Sequence, residues 1–225
     1  MSRIGLAGWR VAALALAMPG CTDVHSNGDS DARADATDVL PDGAPETAED
    51  DVGRAEEPIG PDDYPPGPYG VAVGDRLENL RFLDTEGREL DLADIYADRT
   101  VKLLWIYATA GWCTVCATES PALPDLWSTY HPQGLQILAV VFEDAAGNPA
   151  GVRYARSYAT RYGFEFPTVA DEPFVLGRYF DRAATPMNML VDLTDMEILD
   201  IVMGWDPGGM ESSVERRLGA IPDRR

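Results

Sequence analysis

The chain has 225 residues, with 38 Asp and Glu against 18 Lys and Arg, giving a formal net charge of −20 at pH 7. Its 45% hydrophobic content is enough for a buried core, and it contains no basic patch to neutralise phosphates, which disfavours nucleic-acid binding. The acidity is uneven: residues 22–69 hold 14 acids against Arg33 and Arg54, whereas residues 70–225 hold 24 acids against 14 bases.

Residues 1–21 carry Arg3 and Arg10, no acid, and the apolar run Val11–Met18. A basic start followed by an apolar run too short to span a bilayer is the pattern of an export signal peptide. The run ends at Pro19-Gly20-Cys21. A Cys placed here resembles the lipidation site of a bacterial lipoprotein, which implies cleavage before Cys21 and a lipid anchor to the membrane on that residue. Gly20 fits that pattern, while Met18 and Pro19 depart from it. The alternative is a soluble secreted protein, cleaved after Ala17 and keeping a free Cys21. Either route places the mature chain outside the cytoplasm, facing the periplasm if anchored, where disulfides persist. Residues 22–69 are nearly devoid of large apolar side chains, so a disordered acidic linker is expected.

From Gly70 the pattern becomes that of a folded domain, residues 70–225. Leu80–Leu83, a turn at Asp84–Gly87 and Glu89–Leu92 predict a hairpin, followed by a helical turn over Asp91–Ala97. Lys102–Tyr107 is a buried strand. Thr114–Tyr130 is a helix kinked by Pro121 and Pro124 and ended by His131-Pro132-Gln133-Gly134. Leu135–Phe142 is a second buried strand, and Ala150–Tyr162 a helix stopped by Gly163. A short helix is expected over Phe174–Phe180, a hairpin from Met187–Asp192 and Ile198–Met203, and a last helix over Ser212–Leu218. Alternating strands and helices followed by a hairpin predict a mixed α/β sheet covered on both faces.

The chemistry centres on Trp112-Cys113-Thr114-Val115-Cys116, which puts two thiols one helical turn apart directly after a buried strand. Such a pair opens and closes a small disulfide ring easily, and a helix starting at Cys113 favours a thiolate there. A static bridge so local would constrain little of the unfolded chain, which favours a redox role. No metal site or cofactor is expected: zinc needs two further ligands, and Cys21, His25 and His131 are remote. Met187, Met189 and Met203 are expected to fill the core rather than bind a soft metal.

Strand, Trp-Cys-x-x-Cys, helix, strand, helix, and Ala184-Thr185-Pro186 before a terminal hairpin resemble the thioredoxin fold. That fold is a three-layer α/β/α sandwich with a mixed central sheet, here extended by an N-terminal β-hairpin. Val73-Gly74-Asp75, Glu86-Gly87 and the run Cys113-Thr114-Val115-Cys116-Ala117-Thr118-Glu119-Ser120-Pro121 resemble, more narrowly, the extracytoplasmic thiol–disulfide oxidoreductases of the TlpA/ResA type. The resemblance implies a protein-disulfide reductase working through a redox-active Cys113–Cys116 pair. Cys113, at the mouth of the strand–helix turn, attacks a partner's disulfide, and Cys116 then displaces the partner. Glu119 tunes the thiols and assists proton transfer. The Thr185–Pro186 bond is cis, and Thr185 offers its backbone to the substrate. Trp112 borders the pair as an apolar docking surface or is simply packed. The implied partners are disulfide-containing extracytoplasmic proteins, such as cytochrome c precursors, and a membrane thiol reductant.

The chain departs from this pattern at Thr114-Val115, where Gly-Pro or Pro-Pro is common, and at Tyr107, where a buried polar residue is common. Two other classes share the fold. A thiol peroxidase of the peroxiredoxin type needs a Thr three residues before its Cys, where this chain has Ala110. A non-enzymatic copper chaperone usually has a wider Cys spacing and a distant His ligand, and no His follows His131.

Overall fold

The computed structural model describes residues 63–204 and 206–224, with Pro207 described by its backbone only. The expected export signal, the candidate lipidation residue Cys21 and the expected linker up to residue 62 lie outside the described residues.

Two strands make the centre of the sheet. β3 (Leu103–Ala110) and β4 (Leu135–Glu143) are buried at every position and pair in parallel. Parallel neighbours of this kind need cover on both faces, and their near-continuous apolar sequence reflects that. Around them lie β1 (Arg81–Asp84), β2 (Glu89–Asp91), β5 (Thr168–Ala170), β6 (Met187–Asp192) and β7 (Glu197–Met203), in the order β2-β1-β5-β4-β3-β6-β7. β6 runs antiparallel to β3, so the seven-stranded sheet is mixed.

The helices are α1 (Leu92–Ala97), α2 (Thr114–Glu119), α3 (Leu123–Tyr130), α4 (Val152–Tyr162) and α5 (Pro207–Ala220). Side-chain bonds assign the faces. Tyr107 and Thr109 of β3 reach Ser120 and Tyr158, so α2 and α4 lie on one face. Tyr130 of α3 bonds Glu211 and Glu215 of α5 on the same side. On the other face, Phe142 of β4 packs against Phe174 and Phe180, from the segment linking β5 to β6. The result is three layers, as the strand–helix order predicts.

The differences from expectation are local. The single helix expected over Thr114–Tyr130 is two helices joined by a 3-10 turn at Ser120–Ala122. Pro121 and Pro124 supply no N–H to the helical ladder, and the chain tightens there. The helix expected over Phe174–Phe180 is a 3-10 turn at Val175–Arg178, entered through Phe174 in the left-handed region (φ 57°). α5 starts at Pro207, five residues before the expected Ser212, because proline suits a first helical turn whose N–H needs no partner. Strand β5, three residues long, was not foreseen. Tyr64, in the stretch expected to be linker, packs on the core and donates from Oη to the Leu77 carbonyl at 2.9 Å. Met187 and Met189 are core residues as expected, whereas Met203 is 41% exposed at the sheet edge and fills no core.

Candidate active site

The fold brings Cys113, Cys116, Thr185 and Pro186 together at the end of β3. The β3 strand runs into a tight turn, and Cys113 serves as the N-cap of α2. The Cys113–Cys116 bridge is closed, with a Cα–Cα separation of 5.2 Å. Cys113 Sγ accepts the Cys116 backbone N–H at 3.0 Å. The first-turn amide that would otherwise be orphaned therefore points at the sulfur that would carry negative charge after reduction. Cys113 is 5% exposed and Cys116 fully buried, so the outer sulfur is the accessible one. Cys113 Sγ also lies 3.8 Å from the Thr185 carbonyl oxygen, and the Thr185–Pro186 bond is cis. In the bridged state that sulfur has no proton to donate, so this is proximity; in the thiol state the same approach is a hydrogen bond.

Glu119 lies one turn beyond Cys116 and is fully buried. Neither carboxylate oxygen has a hydrogen-bond partner. Asn188 faces the carboxyl closely enough to temper its titration, but its amide is engaged elsewhere. Asn188 Oδ1 accepts from Trp105 Nε1 at 2.8 Å, and Nδ2 donates to the Gly204 carbonyl at 3.1 Å. Burial prevails and pushes the Glu119 carboxyl up to about 8, from an ordinary value of 4.5.

Tyr107, the departure noted in the sequence, points into the same interior. Its Oη lies 3.3 Å from the Cys116 carbonyl oxygen and 3.0 Å from Ser120 Oγ. Ser120 Oγ is 2.8 Å from Tyr158 Oη, which is 2.8 Å from Thr109 Oγ1. This buried hydroxyl chain ties the turn after Glu119 to β3 and α4. Burial, followed by the neighbouring Tyr158 and Glu119, keeps the Tyr107 phenol well above its usual range. Tyr107 therefore stays a neutral hydroxyl.

Trp112 is 39% exposed and Val115 43%, so both present apolar surface beside Cys113. Trp112 is also held: its Nε1 donates to Glu143 Oε2 at 2.7 Å. Glu143, at the far end of β4, was not singled out from the sequence, where it looks like any strand-end carboxylate. Among the described residues, no group of three or more His, Cys, Asp or Glu is placed to hold a metal ion.

The AhpC/TSA family model matches residues 73–194. The thiol-disulfide oxidoreductase ResA of Geobacillus thermodenitrificans (strain NG80-2) is 30% identical over 122 residues, spanning 54% of this chain and 64% of that relative. The ResA of Geobacillus kaustophilus (strain HTA426) is 28% identical over 151 residues, 67% of this chain and 79% of that one. Among solved structures, a putative thiol:disulfide interchange protein DsbE from Chlorobium tepidum superposes with a TM-score of 0.53 at 22% identity, covering 67% of this chain and 98% of that one. Peroxidoxin BcpB from Mycobacterium tuberculosis does so with a TM-score of 0.55 at 15% identity, covering 68% and 99%. At such identities the two structures speak to the fold alone.

Proposed function

The chain belongs to the AhpC/TSA family, and from that premise we propose that it is a thiol–disulfide oxidoreductase using Cys113 and Cys116 on protein disulfides. The observation that carries this reading is the Cys116 N–H directed at Cys113 Sγ at 3.0 Å, in a pair already able to close its bridge. In the reducing direction the Cys113 thiolate attacks one sulfur of a partner disulfide. A mixed disulfide forms, and the partner's other sulfur leaves as a thiolate. Cys116, as thiolate, then attacks Cys113 Sγ; the partner is released fully reduced, and the Cys113–Cys116 bridge closes.

Glu119 suits the second step. A carboxyl titrating at about 8 is matched to an ordinary thiol near 8.5, so it takes and returns a proton close to neutral pH. Thr185 offers its backbone beside Cys113, and Trp112 and Val115 offer apolar contact. The pairing of Cys113 with a second Cys in the same turn, with Ala110 three residues before it, favours this chemistry over peroxide reduction.

The setting follows from the sequence. Cys21 is a lipidation site, the acidic stretch that follows it is a tether, and the domain faces the periplasm. There it reduces extracytoplasmic proteins, cytochrome c precursors among them, and is itself reduced by a membrane thiol carrier. Among the described residues no helix is long and apolar enough to cross a membrane. The activity is tested by insulin-disulfide reduction with wild type, Cys113→Ser and Cys116→Ser. Turnover by wild type alone supports the reading, and turnover by Cys113→Ser rejects it.

A further inference from the structure

We propose that Glu143 is a positioning residue that fixes the two segments flanking Cys113–Cys116 and so sets the affinity for protein disulfides, an inference that rests on the activity proposed above. The starting observation is a bulge. Regular alternation along β4 would put Glu143 on the face of Val141. The β3–β4 ladder instead passes from Thr109↔Val141 to Ala110↔Glu143, leaving Phe142 as the extra residue. Glu143 thereby changes face and shares that of Ala110, and a bulge beside a functional site commonly re-aims a side chain in this way.

The re-aimed carboxylate makes two contacts. Oε2 accepts from Trp112 Nε1 at 2.7 Å, and Oε1 is paired with Arg182 Nη1. Trp112 immediately precedes Cys113. Arg182 begins the 3-10 turn that leads into Thr185-Pro186, and its carbonyl accepts from Thr185 Oγ1 at 2.6 Å. One carboxylate thus joins the residue before the attacking cysteine to the loop on the opposite side. The Glu143 side chain is 9% exposed and the Arg182 side chain 54%, so a shielded carboxylate is met by a guanidinium that reaches it from the surface.

The Arg182 guanidinium is supported from below. It lies 4.6 Å from the ring centroid of Phe174, which packs against Phe142 at 4.8 Å and Phe180 at 5.4 Å. Phe174 holds a left-handed backbone (φ 57°), a conformation unfavourable for a bulky residue that persists where the surroundings impose it. The strain sits where a flat apolar ring is needed under the cation.

A polypeptide disulfide that reaches Cys113 Sγ brings chain against both flanking segments, whereas a small neutral disulfide brings none. The test is therefore a comparison of kcat and KM for insulin and for hydroxyethyl disulfide, using full-length wild type, Glu143→Ala, Glu143→Gln and Arg182→Ala. Glu143→Ala is expected to raise KM for insulin about tenfold more than it raises KM for hydroxyethyl disulfide. Glu143→Gln keeps an acceptor for Trp112 and is expected to recover part of the loss; Arg182→Ala is expected to share it. An unchanged KM, or an equal loss on both substrates, would overturn the proposal while the activity stands. A wild-type protein inert toward both substrates would overturn the activity and this inference with it. If Glu143→Ala does not fold, Glu143→Gln and Arg182→Ala decide by the same ratio.

Discussion

Replacing Glu119 by Gln is expected to stabilise the oxidised protein, and to do so in a pH-dependent way. The carboxyl ordinarily titrates at 4.5, and burial without a donor lifts it to about 8 in the fold. Between those values the unfolded chain has released its proton and the folded chain retains it. The unfolded state then binds fewer protons, so stability falls as pH rises through this window and levels off above about 8. Each unit of displacement corresponds to about 1.36 kcal/mol, so the loss accumulated by pH 7 is about 3 kcal/mol. Gln has a similar shape and no proton to lose, so the variant lacks this descent. For a domain of this size the gap at pH 7 amounts to roughly 10 °C in Tm. Urea unfolding of both proteins without reductant, from pH 4.5 to 9, reads the difference directly, because every other titrating group is common to both. Parallel curves would refute the reasoning, since they would mean that Glu119 is hydrated or paired in the fold.

Other consequences follow from single contacts. Tyr158→Phe removes the hydroxyl that bridges Ser120 and Thr109, and is expected to cost about 1–3 kcal/mol in urea unfolding because both are left short of a buried partner. Arg224 is 6% exposed and donates to the carbonyls of Tyr96, Asp98 and Val101. Arg224→Ala is expected to cost about 2–4 kcal/mol and to speed amide exchange around residues 96–101, with unchanged exchange there counting against an anchoring role. Glu119→Gln should also change the pH profile of thiol alkylation in the reduced protein, and an identical profile would remove Glu119 from the proton transfer.

The parts of this architecture that were legible in the sequence rest on local pattern. The apolar runs of β3 and β4 announced buried strands, Pro121 and Pro124 announced the break in the helix after Cys116, and the Cys spacing announced the redox pair. What escaped depends on contacts distant in sequence. β5 is too short to carry a period, and its three residues form a strand only because β4 and β1 flank it. The start of α5 was obscured by Gly208 and Gly209, poor helix formers that packing overrides. Glu143 could not be seen at all: its role depends on a one-residue bulge that turns it toward Trp112 and Arg182, 31 and 39 residues away. Tyr107 looked like the loss of a buried polar group. In the fold it restores one, through a hydroxyl chain whose other members lie on three different elements.

The most direct test of the central claim is a trapped intermediate. Full-length Cys116→Ser, reduced and then mixed with a disulfide-bonded protein, should accumulate a mixed disulfide that peptide mapping by mass spectrometry places on Cys113. Wild type treated in the same way should release its partner reduced and recover the Cys113–Cys116 bridge. An adduct confined to Cys21, or no adduct on Cys113, would contradict the account.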